Sequence, residues 1–159
     1  MWLKKMQRDK PRIKIKTSSE NDLDDLKRLM KILCNSFNRT FYEKPWLMDM
    51  KYRIENNPKS VIIAVDTHND KIVGMVIADS GRDWYSGAIL GQIINFIVHP
   101  DYRGLKIGTQ LVDKSLEYLK SKNCHYVRTN CRSQLPHVEH IFEKVGFKEI
   151  YSVLEKELL

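Results

Sequence analysis

The sequence predicts one mixed α/β (α+β) domain whose elements follow in the order β-α-α-β-β-β-α-β-α-β(-β). Amphipathic helical patterns alternate with short runs of β-branched residues, which is the first observation behind this order. The second is a strand, a glycine-containing turn, a helix and another strand between residues 92 and 130. The third is the length of 159 residues, which suits a single hydrophobic core.

The first third of the chain predicts a strand and two helices. Ile13 and Ile15 alternate with lysines, as in a half-exposed strand. The segment from Ser19 to Asp22 resembles a capping box, and apolar residues at helical spacing follow it: Leu23, Leu26, Leu29, Met30 and Leu33. Pro45 suits the start of a second, less regular helix that ends at Asn57-Pro58.

The middle of the chain predicts a hairpin and a central strand. The run from Val61 to Val65 is typical of a buried strand, and residues 72–78 return as its partner. A glycine-bounded loop over residues 81–87 carries two aromatic residues. The central strand, Gln92 to Val98, is apolar except for Asn95, whose amide must find hydrogen bonds or face a cleft.

The last third predicts a helix, a parallel strand, a second helix and a final strand. The first helix starts at Ile107, and Asn123 can close it in the left-handed conformation before a strand over residues 126–130. The second helix is opened by Ser133 or Gln134 with Pro136 and runs through Lys144, with Gly146 at its C′ position. Apolar residues of both parities occupy residues 147–158, so we expect a bulged strand or two abutting strands there.

Composition indicates a cytoplasmic protein with a basic N-terminal arm. No apolar run is long enough to span a bilayer, and the start lacks the apolar core of a secretory signal. Three cysteines in no recognisable pattern fit reduced thiols. Residues 1–16 hold seven basic residues and one acidic residue, and so carry nearly all of the net charge of +7. We therefore divide the chain into a flexible arm, residues 1–12, and a domain, residues 13–159.

The stretch from Phe96 to Thr109 predicts an anion site. An apolar strand runs into Pro100, a short basic turn follows, and a helix starts at Ile107. Unpaired backbone N–H groups and the helix dipole favour an anion at such a helix N-terminus. Arg103 and Lys106 add full positive charges.

This stretch resembles the phosphate loop of the GNAT superfamily of acetyl-CoA-dependent N-acetyltransferases, which reads Arg/Gln-x-x-Gly-x-Gly/Ala. Here it reads Arg103-Gly104-Leu105-Lys106-Ile107-Gly108. A second segment, Phe142-Glu143-Lys144-Val145-Gly146-Phe147, resembles the family's Tyr-Glu-Lys-x-Gly-Phe. The chain departs from the family at Lys106, which suits a glycine position only if φ > 0 is not required, and at Phe142, which replaces a tyrosine.

The resemblance covers about Ile13 to Leu158 and implies a GNAT-like mixed, mostly antiparallel central sheet of six or seven strands with about four helices. It implies transfer of an acetyl group from acetyl-CoA to a primary amine, without a metal. The residues that it assigns to the cofactor are Ile97, Val98, Arg103, Gly104, Leu105, Lys106, Ile107, Gly108, Thr109, Asn130 and Phe142.

Catalytic residues are harder to assign. Many relatives place a carboxylate at the positions of Ile94 and Asn95, and neither is one here. Asn95 could hold a relaying water, and Phe142 has no proton to give the departing thiolate. Tyr151 is our candidate donor, with Tyr126 and Ser133 as substitutes.

Other functions stay open. Lys106, Phe142 and the missing carboxylate also fit an acyl-CoA-binding protein with little catalysis. The basic arm also fits a module tethered to nucleic acid or an anionic membrane, and a homodimer is compatible with the sequence. A zinc site is disfavoured because the cysteines and histidines, Cys124, His125, Cys131, His137 and His140, follow no closed ligand spacing.

Overall fold

A computed structural model describes residues 10–158 of the chain. Within them, five strands form one sheet in the order β1-β2-β3-β4-β5. The strands are β1 (Ile13–Thr17), β2 (Val61–Asp66), β3 (Lys71–Arg82), β4 (Ile89–Val98) and β5 (Tyr126–Thr129), and the helices are α1 (Leu23–Asn35), α2 (Glu43–Asn56), α3 (Ile107–Ser121) and α4 (Pro136–Lys144). The sheet is mixed because β4 and β5 are parallel while the other neighbours are antiparallel.

The sheet separates two apolar cores, and alternation along the strands assigns residues to each. Ile63, Met75 and Ile77 pack towards α1 and α2. Ile62 and Val76 pack towards the opposite face, where the buried residues of α3 and α4 lie. Strand β2 is therefore buried along its whole length, which explains its continuous run of apolar residues.

Local capping confirms two predicted helix ends. Asn123 follows α3 with φ of +56°, in the left-handed region that asparagine tolerates. Gly146 follows α4 with φ of +94°, and the N–H groups of Gly146 and Phe147 donate to the carbonyls of Glu143 and Phe142. These two bonds form a Schellman motif, which the Phe142–Phe147 ring contact at 5.1 Å completes.

Several boundaries differ from the predictions. Helix α2 is a regular helix of 14 residues rather than an irregular one. Strand β3 extends to Arg82 and β4 begins at Ile89, because the pairing of β3 with β4 continues beyond the apolar positions that marked these strands in the sequence. The loop between β3 and β4 is consequently shorter than predicted.

The predicted strand over residues 147–158 is wrong. None of these residues belongs to a strand, so the described sheet has five strands rather than six or seven. Backbone groups of residues 148–158 make no hydrogen bond to other described residues. The physical reason lies in the pattern: large apolar side chains occur at both parities, so no single face could bury them, and they are exposed at Ile150, Tyr151, Val153, Leu154 and Leu158.

The predicted N-terminal arm, residues 1–12, lies almost entirely outside the described residues. Among the described helices, none is both long and apolar enough to cross a bilayer.

Candidate functional site

A cavity of about 430 Å³ lies where α1, the end of β4, the first turn of α3 and α4 meet; we call it the α3 cavity. Its volume is in the range of small-molecule sites. Eight of the residues assigned to a cofactor from the sequence line it: Ile97, Val98, Arg103, Gly104, Lys106, Ile107, Gly108 and Thr109. The structure therefore brings most of the predicted loop to one concave surface.

The loop between β4 and α3 is fixed at its start. Pro100 to Tyr102 form a single 3₁₀ turn, and the N–H of Asp101 donates to Nδ1 of His99 at 3.2 Å. The hydroxyl of Tyr102 donates to the buried carboxylate of Asp66 at 3.0 Å, which ties the turn to the end of β2. Gly104, with φ of +77°, then redirects the chain towards the helix.

Six consecutive backbone N–H groups, from Gly104 to Thr109, donate to no other described residue. The last three belong to the first turn of α3, where the helix itself offers no acceptor. Cationic side chains of Arg103, Lys106 and Lys144 line the same cavity, and none of its described lining residues is a carboxylate. This combination of amides, helix dipole and cations suits a multiply charged anion such as a phosphate or diphosphate.

Lys106 is the N-cap residue of α3 and has φ of +60° and ψ of +17°. The backbone at this position is in the left-handed region. Lys106 is therefore strained, because a lysine would be unstrained here only if φ > 0 were not required. A non-glycine residue in this region costs about 1–2 kcal/mol.

Replacing Lys106 with glycine should make the protein more stable. Relief of about 1–2 kcal/mol of strain exceeds the roughly 0.5–1 kcal/mol of extra chain entropy that glycine loses on folding. Because about 1 kcal/mol shifts Tm by roughly 2–4 °C at this size, we expect a rise of about 2 °C in thermal denaturation. Lys120→Gly, on the exposed face of α3, is the matched control and should lower Tm. A lower Tm for Lys106→Gly would show that Lys106 is not strained.

Strand β4 has a bulge beside the cavity. Between β3 and β4 the register shifts by one residue, because Met75 pairs with Ile97 while Ile77 pairs with Ile94. Asn95, with φ of +51°, lies in this bulge. Strand β5 pairs with β4 only as far as Ile93, so the two strands diverge where the bulge begins. The edge of β4 from Ile94 onwards is thus left open to a ligand.

His137 lies in the α3 cavity, on the first turn of α4. The His137 side chain is exposed to solvent on one side, and its partial desolvation against the cavity wall lowers its pKa below the ordinary value; the nearby guanidinium of Arg103 lowers this pKa further. The imidazole is therefore neutral at pH 7, and an anion in the cavity would favour its protonated form.

Five predicted site residues do not line the α3 cavity. Phe142 is 2% exposed and packs between the rings of Phe96 and Phe147 in the core. Leu105, Asn130 and Tyr151 are exposed, and Asn95 is half-buried in the bulge. The substitute donors Tyr126 and Ser133 are also exposed and lie outside the lining.

Other lining residues were missed by the sequence analysis. Helix α1 contributes Ile32 and Leu33, its C-cap residue Ser36 also lines the cavity, and α4 contributes Ile141 and Lys144. On a single helix their spacing is that of ordinary amphipathic positions, so only the docking of the two helices shows that they face a cavity. His137 was noticed only as an unlikely metal ligand.

A second cavity, of about 400 Å³, lies between α2, the end of β3 and the start of β4; we call it the α2 cavity. Arg53 lies in its wall and donates to Asp49 at 2.9 Å and to Asp79 at 2.6 Å. Tyr52, Asn56 and Gln92 add further hydrogen-bonding groups. The sequence analysis did not predict this site. On α2 and on each of the two strands, the polar residues that line it follow the pattern of an ordinary solvent-exposed face.

Comparison with known proteins identifies related chains. A model of the acetyltransferase (GNAT) family matches residues 27–147. An uncharacterized N-acetyltransferase of Methanocaldococcus jannaschii is 26% identical over 142 residues, which cover 85% of this chain and 60% of that protein. This chain thus spans less than two thirds of the length of that curated relative.

Solved structures share the fold. A transcriptional regulator from Bacillus halodurans matches with a TM-score of 0.74 and 25% identity, over 92% of this chain and 100% of that one. The aminoglycoside N-acetyltransferase AAC(6')-Iy in complex with CoA matches with a TM-score of 0.77 and 15% identity, over 95% of this chain and 97% of that one. At 15% identity the second likeness concerns the fold alone.

Proposed function

Because this chain belongs to the GNAT family of acetyltransferases, we propose that it transfers the acetyl group of acetyl-CoA directly to a primary amine. The family uses acetyl-CoA, and a structure of similar fold holds CoA. We assign the acetyltransferase domain to residues 13–159. The amine can belong to a small molecule or to a peptide or protein.

The observation that supports this proposal best is the donor set of the α3 cavity, which fits a diphosphate. The unpartnered N–H groups from Gly104 to Thr109 would hold the diphosphate of acetyl-CoA, with Arg103 as a charged clamp. The open edge of β4 at Ile97 and Val98 would bind the pantetheine arm. When bound, acetyl-CoA supplies an activated acyl group whose carbonyl a backbone N–H of β4 can polarise.

The transfer forms a bond between the amine nitrogen and the acetyl carbon, breaks the carbon–sulfur bond and releases the CoA thiol. A protonated amine has no lone pair, so the acceptor must lose a proton first, although ordinary amines have pKa values near 8–10. Asn95 remains our candidate for holding a water that carries this proton away. Tyr151 remains a prediction as the acid, although it lies outside the α3 cavity.

A direct test measures acetyl-CoA binding by isothermal titration calorimetry and thiol release with a panel of amines. Saturable binding together with amine-dependent thiol release is expected. An absence of acetyl-CoA binding would refute the proposal.

Two observations favour the second candidate, an acyl-CoA-binding protein with little catalysis. The described lining of the α3 cavity has no carboxylate, and Phe142 cannot donate a proton. Under this alternative, acetyl-CoA binds with normal affinity but no amine in the panel accelerates thiol release.

His137 provides a pH-dependent test of cofactor placement. An anionic diphosphate should raise the pKa of His137, which is lowered in the free protein, so binding should take up a proton near and below pH about 6.5. Affinity should accordingly increase as the pH falls through this window. Calorimetry in buffers of different ionisation enthalpy measures the uptake.

His137→Gln is the control for this experiment, since the phosphates of acetyl-CoA also titrate. The variant should take up fewer protons than the wild type at the same pH. Equal uptake by both proteins would place the diphosphate away from His137.

A further inference from the structure

Tyr102 lies where the hydrogen-bonded part of the loop between β4 and α3 ends and the unbonded part begins. Its N–H donates to the carbonyl of His99 at 2.9 Å, and the N–H of Arg103 donates to the carbonyl of Pro100 at 3.3 Å. The next six N–H groups, from Gly104 to Thr109, have no partner among the described residues. On this side of the loop, the position of these amides is therefore set by the turn that contains Tyr102.

The side chain of Tyr102 connects the α3 cavity to a distant part of the chain. Tyr102 lines the cavity and packs against the core on the α3 side of the sheet. Its hydroxyl donates to Oδ2 of Asp66 at 3.0 Å and accepts from Nδ2 of Asn69 at 3.4 Å. Strand β2 ends at Asp66, and Asn69 lies in the turn before β3. The loop that carries the free amides is thus bonded to the hairpin between β2 and β3.

Asp66 is a buried hydrogen-bond partner, since only 4% of the residue is exposed. Its carboxylate accepts the hydroxyl of Tyr102 at Oδ2 and, at 3.1 Å, the N–H of His68 at Oδ1. A buried carboxylate that loses a hydrogen bond has little water to replace it, so the loss is costly. The bond to Asp66 therefore favours a single placement of the Tyr102 side chain.

We propose that Tyr102 and Asp66 are positioning residues for the cofactor: their hydrogen bond fixes the start of the loop, so that the amides from Gly104 to Thr109 are in place before acetyl-CoA binds. This inference rests on the proposed function. A loop that is already ordered loses less conformational freedom on binding, and the difference appears as affinity. Neither residue takes part in the transfer of the acetyl group, and the family resemblance assigned neither of them to the cofactor.

Tyr102→Phe tests the inference, because it removes the hydroxyl and keeps the ring that lines the cavity. Calorimetry with acetyl-CoA should give a Kd about fivefold higher than that of the wild type, the size of effect expected when a binding loop loses part of its order in the free protein. KM for acetyl-CoA should rise by a similar factor while kcat stays unchanged, because the loop holds the diphosphate equally before and during the transfer.

Tyr118→Phe is the matched control. Tyr118 lies on α3 and outside the α3 cavity, is 9% exposed, and donates its hydroxyl to Oδ1 of Asn57 at 2.9 Å. Each variant loses one hydrogen-bonded tyrosine hydroxyl and should lower Tm, but only Tyr102→Phe should change the Kd of acetyl-CoA. If Tyr102 only stabilised the fold, its variant would lower Tm and leave Kd and KM at their wild-type values, which would overturn the inference.

Asp66→Asn tests whether the two residues act through their hydrogen bond. The amide oxygen of asparagine can still accept the hydroxyl, so Kd should rise less than in Tyr102→Phe. Adding Asp66→Asn to Tyr102→Phe should weaken binding no further, because the bond is already absent; independent, additive losses would contradict the inference. An unchanged Kd in Tyr102→Phe beside a weakened Kd in Arg103→Ala would refute only the positioning role, whereas a wild-type protein that binds no acetyl-CoA would refute the proposed function itself.

Discussion

Replacing Arg103 with alanine is expected to weaken acetyl-CoA binding about tenfold or more. A charge-assisted hydrogen bond to a phosphate contributes roughly 1.5–3 kcal/mol, and each 1.4 kcal/mol is a factor of ten in Kd. The guanidinium makes no ion pair within residues 10–158, and the side chain is exposed, so the fold does not depend on it. Calorimetry with acetyl-CoA measures Kd, and thermal denaturation should give an unchanged Tm.

Arg39→Ala is the matched control. Arg39 pairs with Glu155, and it lies outside the lining of both cavities. Arg39→Ala therefore removes the same charge and the same length of side chain as Arg103→Ala, without changing the proposed site. An unchanged Kd for Arg103→Ala, or an equal loss in both variants, would remove Arg103 from the cofactor site.

The elements that the sequence predicted well are those in which a local pattern and tertiary burial agree. Helix α3 shows an apolar face in the sequence, and that face is buried on the sheet. Gly146 marks a helix end because only a residue that adopts positive φ easily allows the Schellman bonds after α4. In both cases the residue pattern that determines the structure lies within a short segment of the chain.

The missed features depend on interactions between distant segments. Asn95 was noticed in the sequence because it is a polar residue in an apolar strand. Its positive φ, however, follows from the register shift between β4 and β3, and the sequence of a single strand does not show such a shift. Asparagine is one of the few residues that tolerates this conformation, and that was the available signal. The lining from α1 and the whole α2 cavity likewise arise only when helices dock on the sheet.

Lys106 is a different case. The sequence shows that a lysine occupies a glycine position of the family pattern, but the pattern alone does not show whether this lysine is strained. A lysine at a glycine position is either unstrained or held in a left-handed conformation by its surroundings. The structure shows the second case, with φ of +60°. Strain at a ligand loop is thus compatible with a site that keeps its amides exposed.

Phe142→Ala should destabilise the protein by about 3–5 kcal/mol, a large part of the roughly 5–15 kcal/mol of a typical domain. The ring is 2% exposed and lies 5.3 Å from the ring of Phe96 and 5.1 Å from that of Phe147. Its removal leaves a cavity between β4, α4 and the residue that closes the Schellman motif. Urea denaturation measures the loss as a lower midpoint.

Phe142→Leu separates this structural role from the cofactor contact that the family resemblance assigned to the position. Leucine keeps most of the buried volume, so it should cost less than about 1.5 kcal/mol and leave the Kd of acetyl-CoA unchanged. A direct cofactor contact would give the opposite result, with a weakened Kd in both variants and little loss of stability in either. Because Phe142 is buried and lies outside the α3 cavity, we expect stability and not cofactor affinity to respond.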